Sequence, residues 1–119
     1  MFAQRNKVVL VTVLVVAVIF SLASVMMAKE YVPGTPLKAG FIYVGPIGDL
    51  GWSHAHDEAR RICEDTFPWL ETVYVESVAE GEVGLYIDKL IVEEGCDVIF
   101  TTSFGFMDGT LISAQKYPD

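Results

Sequence analysis

Apolar residues recur along this chain with two different periods, and the two alternate. Continuous apolar runs cover Ala39 to Val44, centre on Val73-Tyr74-Val75 within Glu71 to Glu76, and centre on Val98-Ile99-Phe100 within Asp97 to Thr101. Runs of this length with no polar alternation read as strands of a parallel sheet covered on both faces. Between them the period lengthens to that of a helix. Trp52, Ala55, Ala59, Ile62 and Cys63 form the buried stripe expected of a helix from Trp52 to about Thr66. Its other face, with Asp57, Glu58, Arg60, Arg61, Glu64 and Asp65, is expected to be solvated. Phe67-Pro68-Trp69 ends it, because proline cannot continue a helix. Val83, Tyr86, Ile87, Leu90 and Ile91 predict a second helix from about Glu82 to Glu94, with Gly95 as its C-terminal cap. A third is expected from about Gly109 to Lys116.

The order strand-helix-strand-helix-strand-helix predicts an α/β fold with helices on both faces of the sheet. Right-handed crossovers then bring the loops after all three strands to one edge. Those loops are Gly45 to Gly51, Ser77 to Gly81 and Thr102 to Asp108. Ligands bind at that edge of open parallel sheets.

A third hydrophobic pattern precedes the domain. Residues 8–28 are apolar apart from Thr12, Ser21 and Ser24, and Arg5 and Lys7 stand before them. This reads either as a secretory signal, with Ser21-Leu22-Ala23 or Ala28 at the cleavage site, or as an uncleaved membrane anchor. In both cases Arg5 and Lys7 stay on the cytoplasmic side and the rest is exported, to the cell surface or periplasm. Residues 29–37, with Pro33, Gly34 and Pro36, form a linker, and residues 38–119 form the folded part.

Charge narrows the partners. The whole chain carries a net charge of -8, and all 16 acidic side chains lie beyond residue 28. An exported part this acidic excludes nucleic acid as a partner, since phosphate binding needs clustered Lys and Arg. Cys63 and Cys96 are not spaced as a zinc site or a redox pair. Export and their placement near one sheet edge leave a disulfide between them open.

The candidate chemistry lies on the loops. Gly45, Gly48 and Gly51 are spaced three and three, whereas a dinucleotide fingerprint needs two and three, and no Gly-Lys-Ser/Thr is present. No cofactor is expected. Ser103 lacks the first glycine of a nucleophile elbow and no histidine follows it, so hydrolysis is not supported. His54 and His56 fall on different faces of their helix without a third ligand, which argues against a metal. His56 is expected to pack beneath the first loop. Glu76 and Glu80 flank the second loop as solvated or capping groups. Asp49 beside Trp52, and Asp108 beside Phe104 and Phe106, suit a flat heterocycle with hydrogen-bond donors. Equally, Asp49 can be a helix cap and Phe106 a core residue.

These loops carry a resemblance. The strings Gly40-Phe41-Ile42-Tyr43-Val44-Gly45-Pro46-Ile47-Gly48-Asp49-Leu50-Gly51-Trp52-Ser53, His56-Asp57, Tyr74-Val75-Glu76 and Thr102-Ser103-Phe104-Gly105-Phe106-Met107-Asp108 resemble the basic membrane protein family. These are the PnrA-like substrate-binding proteins of ABC transporters. The resemblance covers residues 38–119 and implies part of the first lobe of a type I periplasmic-binding-protein fold. It further implies a non-enzymatic protein that captures a small molecule, a purine nucleoside or nucleobase, and delivers it to the transporter's membrane subunits. By resemblance, Trp52 stacks on the base, Asp49 and Ser53 flank it, Asp108 hydrogen-bonds the ligand, and Ser103, Phe104 and Gly105 shape the pocket wall. The family's second lobe has no counterpart in these residues, which implies a truncated site. The reading from a different class is a membrane-tethered α/β interaction or sensor module that binds no ligand.

Overall fold

The computed structural model describes residues 32–118, so residues 8–28, expected to be an export signal or membrane anchor, lie outside the described residues. Three strands and three helices alternate: β1 (Leu37–Ile42), α1 (Trp52–Thr66), β2 (Leu70–Val75), α2 (Val83–Val92), β3 (Val98–Thr101) and α3 (Met107–Lys116). A single 3-10 turn precedes each helix, at Ile47–Asp49, Glu80–Glu82 and Phe104–Phe106. The sheet is parallel with strand order β2-β1-β3. This is the expected α/β arrangement.

Register levels the ends of the strands. Ile42 lies beside Val75 on one side and Thr101 on the other, so the three following loops leave the sheet together. Backbone pairing continues past the strand ends. The Tyr43 N–H donates to the Val75 carbonyl (2.9 Å), Val78 N–H to Tyr43 (3.1 Å) and Thr102 N–H to Ile42 (3.1 Å). At the other end β1 starts earlier than its apolar run. The Lys38 N–H donates to the Asp97 carboxylate (2.9 Å) and the Lys38 carbonyl accepts from the Asp97 N–H (2.8 Å), which holds a polar residue in the strand at its rim.

Alternate residues of a strand face opposite sides. On one side Ile42, Val78, Val83, Ile87, Leu90, Cys96 and Phe106 form the core, with Val73, Val75 and Ile99 against it. Gly40 passes under this packing. A Cβ there would meet Ile99 Cδ1 at 2.8 Å and Leu90 Cδ1 at 3.0 Å. Gly95, at φ +69°, turns the chain after α2 in a conformation other residues avoid.

The other side of the sheet overturns the expected orientation of α1. The residues it buries are Ser53, Asp57 and Arg60, while Trp52, Ile62 and Cys63 are exposed. The predicted apolar stripe therefore faces outward, while Arg60 and Glu64 of the predicted polar face pack against β2 with Asp57 buried beside them. The cause is what the sheet offers beneath the helix. Arg60 Nη1 donates to Thr72 Oγ1 (2.6 Å) and to Glu64 (3.1 Å), its Nε donates to Asp57 (2.9 Å), and its guanidinium lies 4.8 Å from the Tyr74 ring centre. Charged groups that find this many partners can be buried. The stripe they displace is built partly of small alanines, whose burial releases little free energy. Both cysteines are free thiols: Cys63 is exposed on α1 and Cys96 belongs to the core on the other side of the sheet.

Candidate functional site

The loop after β1 is built around Asp49. Its carboxylate accepts hydrogen bonds from the backbone N–H groups of Gly51 (2.7 Å), His54 (3.1 Å) and Ser53 (3.2 Å). These belong to the first turn of α1, whose donors have no partner within the helix. The Gly51 N–H above all, helped by those of His54 and Ser53, holds the Asp49 carboxyl below its usual range. Leu50 between them is 82 % exposed and adopts φ +55°, a strained conformation for a branched residue. Ser53 is fully buried and its hydroxyl accepts from the Gly45 N–H (3.1 Å), so it fastens the loop to the helix. The histidine beneath this loop is His54, whose Nδ1 lies 3.0 Å from the Ile47 carbonyl. His56, expected there from its spacing, instead meets the Trp52 ring edge-on, with centroids 4.8 Å apart.

Three side chains tie the loops to one another. Glu76 accepts from the Ile47 N–H (2.6 Å), joining the second loop to the first. Trp52 Nε1 donates to the Thr102 carbonyl (2.5 Å), joining the start of α1 to the loop after β3. Ser103 donates to Glu80 (3.0 Å), joining the third loop to the second. The indole's one polar group is thereby used and the ring is held in place, yet the residue remains 62 % exposed.

In the loop after β3, the Ser103 hydroxyl also accepts from the Gly105 N–H (3.3 Å) and caps the turn Phe104–Phe106. The two rings of that turn diverge. Phe106 is wholly buried in the core and Phe104 is 86 % exposed. Asp108 is exposed in the first turn of α3. It lines an open depression of about 410 Å³ with Glu80, Gly81, Gly84, Gly105 and Gly109.

The fold thus brings Trp52 onto the third loop, and Gly105 and Asp108 into one depression. It does not place Asp49 there, because that carboxylate is turned back onto the helix end. Of the two sequence alternatives for the pair, the fold shows the second: Asp49 is a cap and Phe106 is core. Glu76 and Glu80, expected to be solvated or capping groups, instead bind the neighbouring loops, and the Thr102 carbonyl is a partner that the sequence did not single out. Their signal was position on the loops, since Glu76 and Thr102 directly follow β2 and β3 and Glu80 opens the turn before α2. The Ser103 hydroxyl contacts a carboxylate and a backbone amide, not an imidazole. Among the described residues no group of three or more His, Cys, Asp or Glu side chains is placed to hold a metal ion.

Residues 37–119 match the model of the family described as Bmp, the PnrA-like ABC transporter substrate-binding proteins. The chain is 44% identical over 103 residues to a protein of Brucella abortus (strain 2308) named as purine-binding, covering 86% of this chain and 29% of that one. It is 41% identical over 86 residues to a protein of Haloferax volcanii named as a putative ABC transporter glucose-binding protein, covering 72% of this chain and 22% of that one. The chain spans less than a third of the length of either relative.

Proposed function

The chain belongs to the family of PnrA-like ABC transporter substrate-binding proteins, and from that premise we propose that it supplies part of the ligand site of an extracytoplasmic, non-enzymatic solute-binding protein. The ligand is a purine nucleoside or nucleobase, captured reversibly and handed to the transporter's membrane subunits. Residues 1–28 take the protein to the membrane, as a signal or an anchor.

The observation that carries this reading is the Trp52 ring. It stands at the strand-end edge of the sheet, fixed by its N–H to the Thr102 carbonyl and exposed in spite of its size. An aromatic face held rigid and left open suits stacking on a flat heterocycle, with little conformational entropy lost on binding. Phe104, more exposed still, lies two residues beyond Thr102. Asp108 offers acceptor oxygens for ligand N–H or O–H groups, with Ser103 and Gly105 shaping the wall beside it. Asp49 and Ser53 act one step back, by shaping the turn from which Trp52 projects. The name of the Brucella relative supports the purine class. The name of the Haloferax relative favours a second reading, a sugar stacked by its apolar face on the same ring.

Calorimetry of the longest product the gene encodes, against adenosine, guanosine, inosine and glucose, separates the two. Saturable heat with a nucleoside and none with glucose supports the proposal; the reverse replaces it with the sugar reading. Silence with all four favours a tethered interaction module. In a nucleoside-binding protein Trp52→Ala weakens affinity by about 1–3 kcal/mol, the range of base–aromatic stacking. Unchanged affinity removes Trp52 from the site.

A further inference from the structure

We propose that Glu80, in the turn that opens α2, is a positioning residue of the ligand site: it holds the loop Ser103-Phe104-Gly105 in the shape that presents Phe104. The proposal rests on the reading of that edge as a ligand site, and its structural half is tested separately below.

Phe104 needs such a support. Its ring is 86 % exposed, so packing does not hold it, and its neighbour Phe106 is the anchored member of the turn. What fixes the turn is a short relay. The Gly105 N–H donates to the Ser103 hydroxyl, and that hydroxyl donates to a Glu80 carboxylate oxygen. The Phe106 N–H closes the turn onto the Ser103 carbonyl (3.2 Å). A serine hydroxyl rotates freely unless its proton has an acceptor. Glu80 supplies that acceptor and so turns the oxygen lone pairs toward Gly105.

Gly105 gives independent support. A Cβ at this position would overlap the Glu80 carboxylate. The space above Gly105 is therefore not idle; the Glu80 side chain lies across it. A glycine is required there by the carboxylate and not by its backbone angles, since Gly105 is absent from the positive-φ glycines Gly34 and Gly95. The obstruction is the far end of a flexible, exposed side chain. Gly105→Ala thus fits the fold at low cost but evicts Glu80 from Ser103.

This separates a positioning role from a purely structural one. Exposed hydrogen bonds contribute little to global stability, so losing Glu80 should loosen the loop and leave the sheet intact. The test is amide hydrogen exchange in the full 119-residue chain without ligand. Glu80→Ala is expected to speed exchange at Gly105 and Phe106 about tenfold, with Ile42 and Ile99 unchanged. Gly105→Ala is expected to do the same at Phe106 although Glu80 is present. Glu80→Gln keeps an acceptor oxygen in place and is expected to stay within about threefold of the parent. Unchanged loop exchange in Glu80→Ala, equal loosening by Glu80→Gln, or acceleration throughout the sheet overturns the proposal. Adenosine affinity of the longest gene product should then fall in Glu80→Ala and recover in Glu80→Gln. If the loop loosens and affinity holds, Glu80 does not position the site. If the parent binds no nucleoside, the functional reading fails, while the exchange data still decide whether Glu80 orders the loop.

Discussion

Asp49 carries one carboxylate and two readings from sequence, helix cap and ligand acceptor. The geometry shows why a strand-end loop rewards the first. Three N–H groups at the start of α1 converge on one side chain, which supplies the acceptors that Gly51 in the capping position lacks. Such bonding favours the ionised form, so the folded pKa lies below the ordinary value of 3.8. The sign of the linkage follows. The cap's contribution is fully present above 3.8 and is lost as the pH falls through the lower folded value. Amide resonances of Gly51 and His54, followed from about pH 6 down to about pH 2, should shift together with a midpoint below 3.8 and not shift in Asp49→Asn. A midpoint at or above 3.8 would contradict the cap. At this scale the sequence exposed residue types but not their partners. Trp52 and Asp108 were visible as aromatic and acidic residues on loops. That the indole N–H reaches Thr102, fifty positions away in sequence, depends on tertiary structure alone.

Among the elements, α1 shows most clearly where pattern and structure part. Periodicity located the helix at Trp52–Thr66 but not the face it buries, because two stripes of similar width compete. A pattern of apolar residues assumes that charge stays in water. Here Asp57 and Arg60 are buried beneath the helix with mutual bonds, Glu64 and Thr72 as further partners, and Arg61 on the second Asp57 oxygen (3.1 Å). The buried Tyr43 hydroxyl lies close by, and burial pushes its pKa up to about 12. Removing Asp57 takes away the buried counter-ion of Arg60 and leaves it only the half-buried Glu64. Asp57→Ala should therefore cost about 3–5 kcal/mol in urea denaturation, a large share of the roughly 5–15 kcal/mol that holds a typical domain together. The double substitution Asp57→Leu, Arg60→Met should cost less than the single one, since it removes both charges at once. A loss under about 1 kcal/mol in Asp57→Ala would mean that water reaches Arg60 and the helix face is not truly buried. By contrast α2 was legible down to its inward residues. Its partners Ile42, Val73 and Ile99 are apolar, so the hydrophobic stripe and the buried stripe coincide.

For the whole molecule, the parallel sheet and the common edge of the loops could be derived from the alternation of elements, because parallel strands need crossovers of one hand, whereas the order β2-β1-β3 came from the structure. Which surfaces the described residues leave uncovered could not be derived. On the α1 side of the sheet Phe41 and Phe100 stack with centroids 4.9 Å apart, and Phe100 is still 48 % exposed. Ile62, on the outward face of α1, is 65 % exposed. Isolated exposed apolar residues are ordinary, but a stacked ring pair and an outward apolar helix stripe are uncovered surfaces of the kind that bind apolar probes. The chain should accordingly bind a hydrophobic fluorescent dye, and the variant Ile62→Glu, Phe100→Thr should bind less of it. Both proteins carry the same apolar residues 8–28, so the difference between them isolates the contribution of the folded part. The variant should remain folded. Ile62 makes no core contact, and loss of the ring pair costs about 0.5–1.5 kcal/mol beyond the area exposed. Unchanged dye binding with an unchanged circular dichroism spectrum would show that these surfaces are already covered in solution, with α1 packed differently from the arrangement described.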